Sequence, residues 1–272
     1  QKGKCFWMRV YEIPEGSKNS KGRAIQNLIN IEQDDRVKAF ICTQDLKDED
    51  YVNSNYVIMA TKMGQVKKTS LEQYSRPRSN GINAITIKDG DELLEAKLTN
   101  GNSQIMLAVQ SGKAIRFEES KTRPMGRNAS GVRGIRLKDK KDEVVGMISV
   151  NDMDANILVV SENGFGKRSS LEDYRLTNRG GKGVKTISIT EKTGKLVSLK
   201  SVSDNDDLMI INKSGIAIRM QVEDLRVMGR ATQGVKVISL KDGDSIAAVA
   251  KVMKDEDDLE DVNEIEFTGD TV

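Results

Sequence analysis

An all-β fold assembled from five consecutive repeats is what the sequence predicts, and three observations carry that expectation. First, a glycine leading into a short strand recurs: Gly3-Lys4-Cys5-Phe6, Gly64-Gln65-Val66-Lys67-Lys68, Gly112-Lys113-Ala114-Ile115-Arg116, Gly164-Phe165-Gly166-Lys167-Arg168 and Gly215-Ile216-Ala217-Ile218-Arg219. From Gly64 onward the spacing is 48, 52 and 51 residues. Second, another glycine follows each (Gly22, Gly81, Gly131, Gly183, Gly234) after 19, 17, 19, 19 and 19 residues. Third, Val/Ile/Leu-rich runs bounded by Gly, Asn and Asp recur throughout, while the apolar period of a helix is nowhere sustained. Four short strands per repeat on this period predict a propeller-like array, because one such sheet cannot bury both of its faces and neighbouring sheets must cover it.

Each repeat reads in the same order. A strand follows the first glycine, and a β-like run follows the second, over 82–87, 132–137, 184–189 and 235–240. Two apolar stretches then close the unit, such as 144–150 with 157–160, or 196–202 with 208–211. The paired glycines are expected at turns of positive φ, which they enter without a Cβ penalty. The first repeat is the longest, and its polar segment 45–55 is expected to be a loop insertion. Tyr11, Tyr74 and Tyr174 fall at or near equivalent places and are expected to pack inside.

Composition removes whole classes of function. The chain has 272 residues, 37% of them hydrophobic and 4% aromatic, with two cysteines and no histidine. Without histidine there is no Ser-His-Asp triad, no imidazole acid or base and no His-bound metal. Cys5 and Cys42 fit neither a C-x-x-C site nor a disulfide framework, which points to a reducing compartment and a cytoplasmic location. No run approaches the roughly 18 apolar residues of a spanning helix, so no membrane partner is expected. The opening Gln1-Lys2-Gly3-Lys4 has neither an initiator methionine nor a leader, and the chain reads as a piece of a longer one. There is no G-x-x-x-x-G-K-[ST] phosphate loop. Asp204-Asn205-Asp206-Asp207 lacks the glycine and distal glutamate of a Ca²⁺ loop and reads as a hydrophilic turn.

The net charge of +2 conceals a segregation. Residues 254–272 carry one base and nine acids, whereas residues 1–253 carry 42 bases against 32 acids. This predicts two regions: a basic repeat domain over 1–253 and an acidic, disordered tail over 254–272. A basic body is the asymmetry of a chain that meets a polyanion. By the same argument, removing the tail is expected to tighten that interaction at low salt.

The repeats also put cations in phase. Four residues after the first glycine come Lys68, Arg116, Arg168 and Arg219; eleven or twelve after it come Arg76, Arg123, Arg175 and Arg226. Before the second glycine stand Lys21, Arg78, Arg127, Arg179 with Lys182, and Arg230; after it stand Arg23, Arg133, Lys185 and Lys236. Equal offsets in a repeating fold become equal positions, so these bases are expected to form a band along an outer edge. Several lie in Gly- or Asn-rich turns such as Asn178-Arg179-Gly180-Gly181-Lys182-Gly183, where backbone N–H groups and a guanidinium can share a phosphate. A band predicts a duplex that bends over it, and about ten phosphate contacts would give a log–log salt slope near −9. No recognition helix is expected, so readout is of backbone and shape.

Val10-Tyr11-Glu12-Ile13-Pro14, Lys21-Gly22-Arg23-Ala24-Ile25-Gln26-Asn27-Leu28, Arg127-Asn128-Ala129-Ser130-Gly131-Val132-Arg133-Gly134-Ile135 and Gly229-Arg230-Ala231-Thr232-Gln233-Gly234-Val235 resemble the C-terminal domains of bacterial DNA gyrase A subunits. The resemblance runs in order through residues 1–253. It implies a β-pinwheel, a propeller-like disc whose blades exchange strands, which wraps double-stranded DNA so that the enzyme introduces negative supercoils. It further implies partners in the N-terminal region of the gyrase A subunit, and in the gyrase B subunit of the heterotetramer. The cleaving tyrosine, the ATP site and Mg²⁺ would then lie elsewhere, leaving this piece non-catalytic and without a cofactor. Six blades and an upstream Q-R-R-G-G-K-G box are usual in the family; five repeats are visible here, the first blade is expected to be missing, and the turn at Asn178 is box-like only. The alternatives are the DNA-bending domain of topoisomerase IV and a propeller that serves as a protein-binding scaffold.

Overall fold

A computed structural model describes residues 1–17 and 20–253; the expected acidic tail, 254–272, lies outside the described residues. The first repeat contributes strand β1 (Lys4–Cys5). The second contributes β2 (Tyr56–Thr61), β3 (Gln65–Ser70), β4 (Ile82–Asn83) and β5 (Leu93–Thr99). The third contributes β6 (Gln104–Val109), β7 (Lys113–Glu118), β8 (Val132–Arg133) and β9 (Val144–Val150). From the fourth come β10 (Asn156–Ser161), β11 (Phe165–Ser170), β12 (Leu176–Thr177), β13 (Val184–Lys185) and β14 (Leu196–Val202). The fifth adds β15 (Asp206–Asn212), β16 (Ala217–Gln221), β17 (Val235–Lys236) and β18 (Ile246–Met253). Besides these there are short 3₁₀ turns and one helix, α1 (Glu49–Ser54).

The chain divides into two compact units, one of Gln1–Val109, Lys113–Asn151 and Arg175–Val184, the other of Gln110–Gly112, Asp152–Tyr174 and the described residues from Lys185 onward. In the first unit β1 pairs with β4, the second sheet runs β5-β2-β3-β8, and the third runs β9-β6-β7-β12 with β13 also on β7. The second unit holds the sheets β14-β10-β11-β17 and β16-β15-β18. The edge strand of a sheet thus comes from the following repeat: β8 lies on β3 with Val132 opposite Val66, and β17 lies on β11 with Val235 opposite Gly166. This exchange of strands between consecutive blades is the pinwheel form of a propeller.

The hairpin strands β2, β6 and β10 are buried over five of their six residues. That is why they read as near-continuous apolar runs where a one-sided strand would alternate. Ile58, Val66, Ile105, Leu107, Phe117 and Ile135 fill the core of the first unit. Leu158, Val160, Leu208, Ile210 and Val222 fill that of the second. Each such side chain contributes roughly 1.5–3 kcal/mol by leaving water.

Three expectations change on contact with the fold. The runs after the second glycine are shorter than expected, two residues each, because the chain then bends onto the first glycine. The amides of Gly134 and Ile135 both donate to Gly64 O, at 2.8 and 3.3 Å, and those of Thr186 and Ile187 both donate to Gly112 O. The glycines are required at this crossing: a Cβ on Gly64 would stand 2.9 Å from Ile135 O, and one on Gly131, whose φ is +87°, would stand 2.5 Å from Val66 O. Segment 45–55 is not all loop. Asp48 caps α1 by accepting from the Tyr51 amide, Glu49 and Asp50 favour the positive end of the turn, and buried Val52 anchors it. Tyr74 and Tyr174 pack inside, but Tyr11 is 74% exposed.

Candidate nucleic-acid interface

The four in-phase sets of cations separate once they are placed on strands and turns. Lys68, Arg116, Arg168 and Arg219 ride on β3, β7, β11 and β16. β3, β7 and β11 sit inside their sheets and the following repeat crosses each of them: Lys68 bridges Pro124, Arg168 bridges Val227, and β12 runs parallel to β7 at Arg116, whereas β16 is an edge strand and Arg219 on it is exposed. Lys68 and Arg168 are therefore buried, at 5% and 6% exposure. The Lys68 ammonium lies 2.9 Å from a fully buried carboxylate, Glu119, and 4.1 Å over the Tyr56 ring. Arg168 donates to the Asp204 carboxylate and to the carbonyls of Leu225 and Glu223.

Arg116 is half-buried and donates from Nε to Gln104 at 2.6 Å, and burial holds its guanidinium below the usual arginine range. Arg219 pairs with Asp207 at 2.7 Å. The expectation that this set forms part of an outer band is corrected for Lys68 and Arg168: they are buried in their blades and paired with Glu119 and with Asp204 and backbone carbonyls. A charge buried in a blade needs such a partner, since its removal from water is otherwise too costly.

The second set behaves differently. Arg76, Arg123, Arg175 and Arg226 are all exposed, each just past the end of a 3₁₀ or turn segment, and none makes an ion pair among the described residues. The third set splits. Lys21, Arg78 and Lys182 are exposed, while Arg127, Arg179 and Arg230 are half-buried. Arg179 donates to Lys121 O at 2.9 Å and to Arg133 O at 3.1 Å, and Arg230 donates to Lys185 O at 2.8 Å. Both guanidinium groups are anchored on a backbone carbonyl just beyond the preceding repeat's second glycine. Their planes are held with part of the donor fork still uncommitted to those carbonyls. The fourth set, Arg23, Arg133, Lys185 and Lys236, is exposed throughout.

Within the first unit three of these sets meet. Arg116, Arg175 and Lys182, with Thr177, Asn178 and Gly181, line one cleft of about 150 Å³ beside the glycine-rich turn. Three cations on a cleft this small, with no carboxylate in its lining, suit a phosphate-sized anion. The turn's backbone contributes less than expected: the Gly180 amide donates to Gly134 O at 2.5 Å, so it is not a phosphate donor.

The structure also adds cations that the offsets did not single out. Lys88 and Arg136 join Arg133 around a second opening. Arg136 has no basic counterpart in the other repeats, so periodicity carried no signal for it. Lys88 does have one, because Lys88, Lys138 and Lys241 each follow the second glycine by seven residues, and all three are exposed.

Comparison with known proteins agrees with this architecture. The family model described as "DNA gyrase C-terminal domain, beta-propeller" matches residues 1–44, 55–100, 104–151, 155–203 and 206–253, one segment per repeat. The DNA gyrase A subunit of Staphylococcus aureus is 43% identical over the full chain, and that of Staphylococcus epidermidis is 43% identical over 94% of it. The chain spans only 30% and 28% of those relatives. Among solved structures, a DNA gyrase A C-terminal domain superposes with a TM-score of 0.78 at 25% identity, covering 93% of this chain and 80% of that one. The C-terminal domain of a DNA topoisomerase IV superposes with a TM-score of 0.84 at 24% identity, covering 98% of this chain and 82% of that one, and shares the fold. On the five matched segments and the sequence identity together, this chain belongs to the DNA gyrase C-terminal domain family.

Proposed function

We propose that the five repeats act together as a non-catalytic DNA-binding domain of a gyrase A subunit, bending and wrapping duplex DNA over their exposed basic turns. The observation that carries this reading is the contrast between the sets of cations. Those inside the blades are matched by carboxylates or carbonyls, whereas Arg76, Arg123, Arg175 and Arg226 repeat at one place in four of the five repeats, exposed and without an ion pair among the described residues. Unpaired surface arginines at equal intervals suit a ligand whose charge also repeats, and a duplex carries one phosphate charge per ~1.7 Å of axis.

In this reading the domain supplies positive charge and shape, and the rest of the enzyme supplies chemistry. ATP and Mg²⁺ would be used by other regions. The described residues include no group of three or more His, Cys, Asp or Glu able to hold a metal. The partners would be double-stranded DNA, the N-terminal region of the gyrase A subunit, and the gyrase B subunit of the heterotetramer, all in the cytoplasm. No helix of the described residues is long and apolar enough to cross a membrane. A scaffold that recognises proteins has no observation in its favour.

Reversing Arg123, Arg175 and Arg226 together to glutamate is the direct test, read by fluorescence anisotropy on a short duplex across salt concentrations. The reading expects binding at 0.1 M salt to collapse and the log–log slope to become shallower by roughly 3. Unchanged affinity would discard it. Ligation of nicked plasmid in the presence of the unsubstituted chain then separates wrapping from simple binding, because only a wrapped path leaves a change in linking number.

A further inference from the structure

Beneath the basic turns of two repeats lies a lysine that the DNA-facing sets do not include. Lys67 on β3 and Lys167 on β11 are completely buried. The Lys67 ammonium donates to Ala84 O and to Arg127 O, each at 2.5 Å, and the Lys167 ammonium donates to Gly229 O at 2.6 Å. Neither forms an ion pair among the described residues. A buried ammonium hydrogen-bonded to carbonyls, with no ion pair, keeps its charge at a cost, which an anion approaching from outside would offset.

Of these carbonyls, Arg127 O and Gly229 O belong to the turns 123–131 and 226–234, which carry Arg123, Arg127, Arg226 and Arg230, while Ala84 O lies on the stretch that follows Gly81. How those turns are otherwise held is informative. In the third repeat the corresponding position is Ile115, and there the crossing segment is a true parallel strand: β12 pairs Leu176 with Arg116 and Thr177 with Phe117, and the Thr177 hydroxyl donates to Arg116 O. Over Lys68 and Arg168 the crossing is reduced to single bridges, at Pro124 and Val227. A proline supplies no amide to a ladder. The lysine stands where the ladder is missing.

We propose, resting on the DNA-binding reading above, that Lys67 and Lys167 are positioning residues for DNA: they brace the two arginine-bearing turns from beneath and add a buried positive charge to the phosphate path without touching it. Burial pushes both ammonium groups down to about 8, with Arg127 adding to the effect at Lys67, and Asp173 (raising) and Arg230 (lowering) acting on Lys167. Tyr74, whose hydroxyl donates to the same Ala84 carbonyl as Lys67, is pushed up to about 12 by burial, and Cys5, which acts on Tyr74, up to about 11, so both stay neutral from pH 7 to 9. In the second unit Tyr174, which like Lys167 is acted on by Asp173 and Arg230, is likewise raised by burial. The brace therefore loses its charge over a window in which its neighbours keep theirs.

The test uses the full chain and its Lys67→Met, Lys167→Met double variant, with duplex affinity measured at pH 7 and pH 9 across salt. The unsubstituted chain should bind about tenfold less tightly at pH 9, as expected for a unit charge about 12 Å from a phosphate at an effective dielectric near 20. The double variant should bind weakly at pH 7, lose nothing further at pH 9, and keep the parent salt slope, because neither lysine releases a counterion. Parental affinity and pH profile in the variant would overturn the role, as would a slope shallower by about one per lysine, which would mean direct phosphate contact. Should the methionine variant fail to fold, Lys67→Arg with Lys167→Arg takes its place: binding is retained and flat from pH 7 to 9, and a persisting fall overturns the proposal. If the unsubstituted chain binds no duplex at all, the DNA-binding reading fails and this role with it; binding by the methionine variant equal to the parent's at both pH values defeats this role alone.

Discussion

The burial of Lys68 leads to a sharp expectation. Its ammonium is held by Glu119 at 2.9 Å and by the Tyr56 ring, and Glu119 also accepts from the Thr99 hydroxyl at 2.7 Å and the Ser103 amide at 3.3 Å. Glu119→Gln keeps the shape and one acceptor but leaves the lysine charge without its counterpart. Breaking a buried pair on one side costs about 3–5 kcal/mol, and the surviving cation–π contact places this case near the lower end. Lys68→Met strands the fully buried carboxylate and should cost at least as much. Replacing both, as Lys68→Met with Glu119→Leu, removes both charges but deprives Thr99 and Ser103 of an acceptor, about 1–2 kcal/mol. The double variant should therefore be more stable than either single one. Urea denaturation of the four proteins measures this cycle directly. In the same proteins, duplex affinity and salt slope measured well below the melting transition should match the parent. If Lys68→Met leaves stability untouched and makes the salt slope shallower by about one, the lysine contacts phosphate and the structural assignment is wrong.

Two further outcomes follow from the same contacts. Gly131→Ala places a Cβ 2.5 Å from Val66 O at a φ of +87°, so it should cost more than the roughly 1–2 kcal/mol of left-handed backbone strain alone, seen as a lower urea midpoint. Lys67 and Lys167, held near 8 when folded against an ordinary 10.5, bind fewer protons in the folded chain between those values. Stability should therefore rise with pH from about 8 to about 10.5, and denaturation of the double methionine variant should lose that rise.

Much of the architecture was legible because the repeats are nearly equal in length. The glycine pairs marked where one strand crosses another, and the apolar runs of β9, β10, β14 and β15 are found close to where the pattern placed them. The runs after the second glycine misled because apolar residues continue past the point where the chain bends. Val132 pairs as a strand, whereas Ile135 is buried by the turn onto Gly64, and both look alike in sequence. Helix α1 was hidden for the opposite reason: its six residues are polar except for Tyr51 and Val52, too short to show a period, and its stability comes from the Asp48 cap and the burial of Val52. Tyr11 sits eight residues past its glycine where Tyr74 and Tyr174 sit ten past theirs, and that shift separates an exposed ring from two buried ones.

The candidate site divides along the same line. Sequence alone determined that cations recur in phase, since a repeat length and a residue type are both one-dimensional facts. It could not distinguish Lys68 from Arg123, because both are bases at a constant offset. What separates them is whether the following repeat crosses above the side chain and whether a carboxylate such as Glu119, 51 residues away in sequence, arrives beside it. Burial and charge pairing depend on which distant segments are brought together, and only the folded chain decides that.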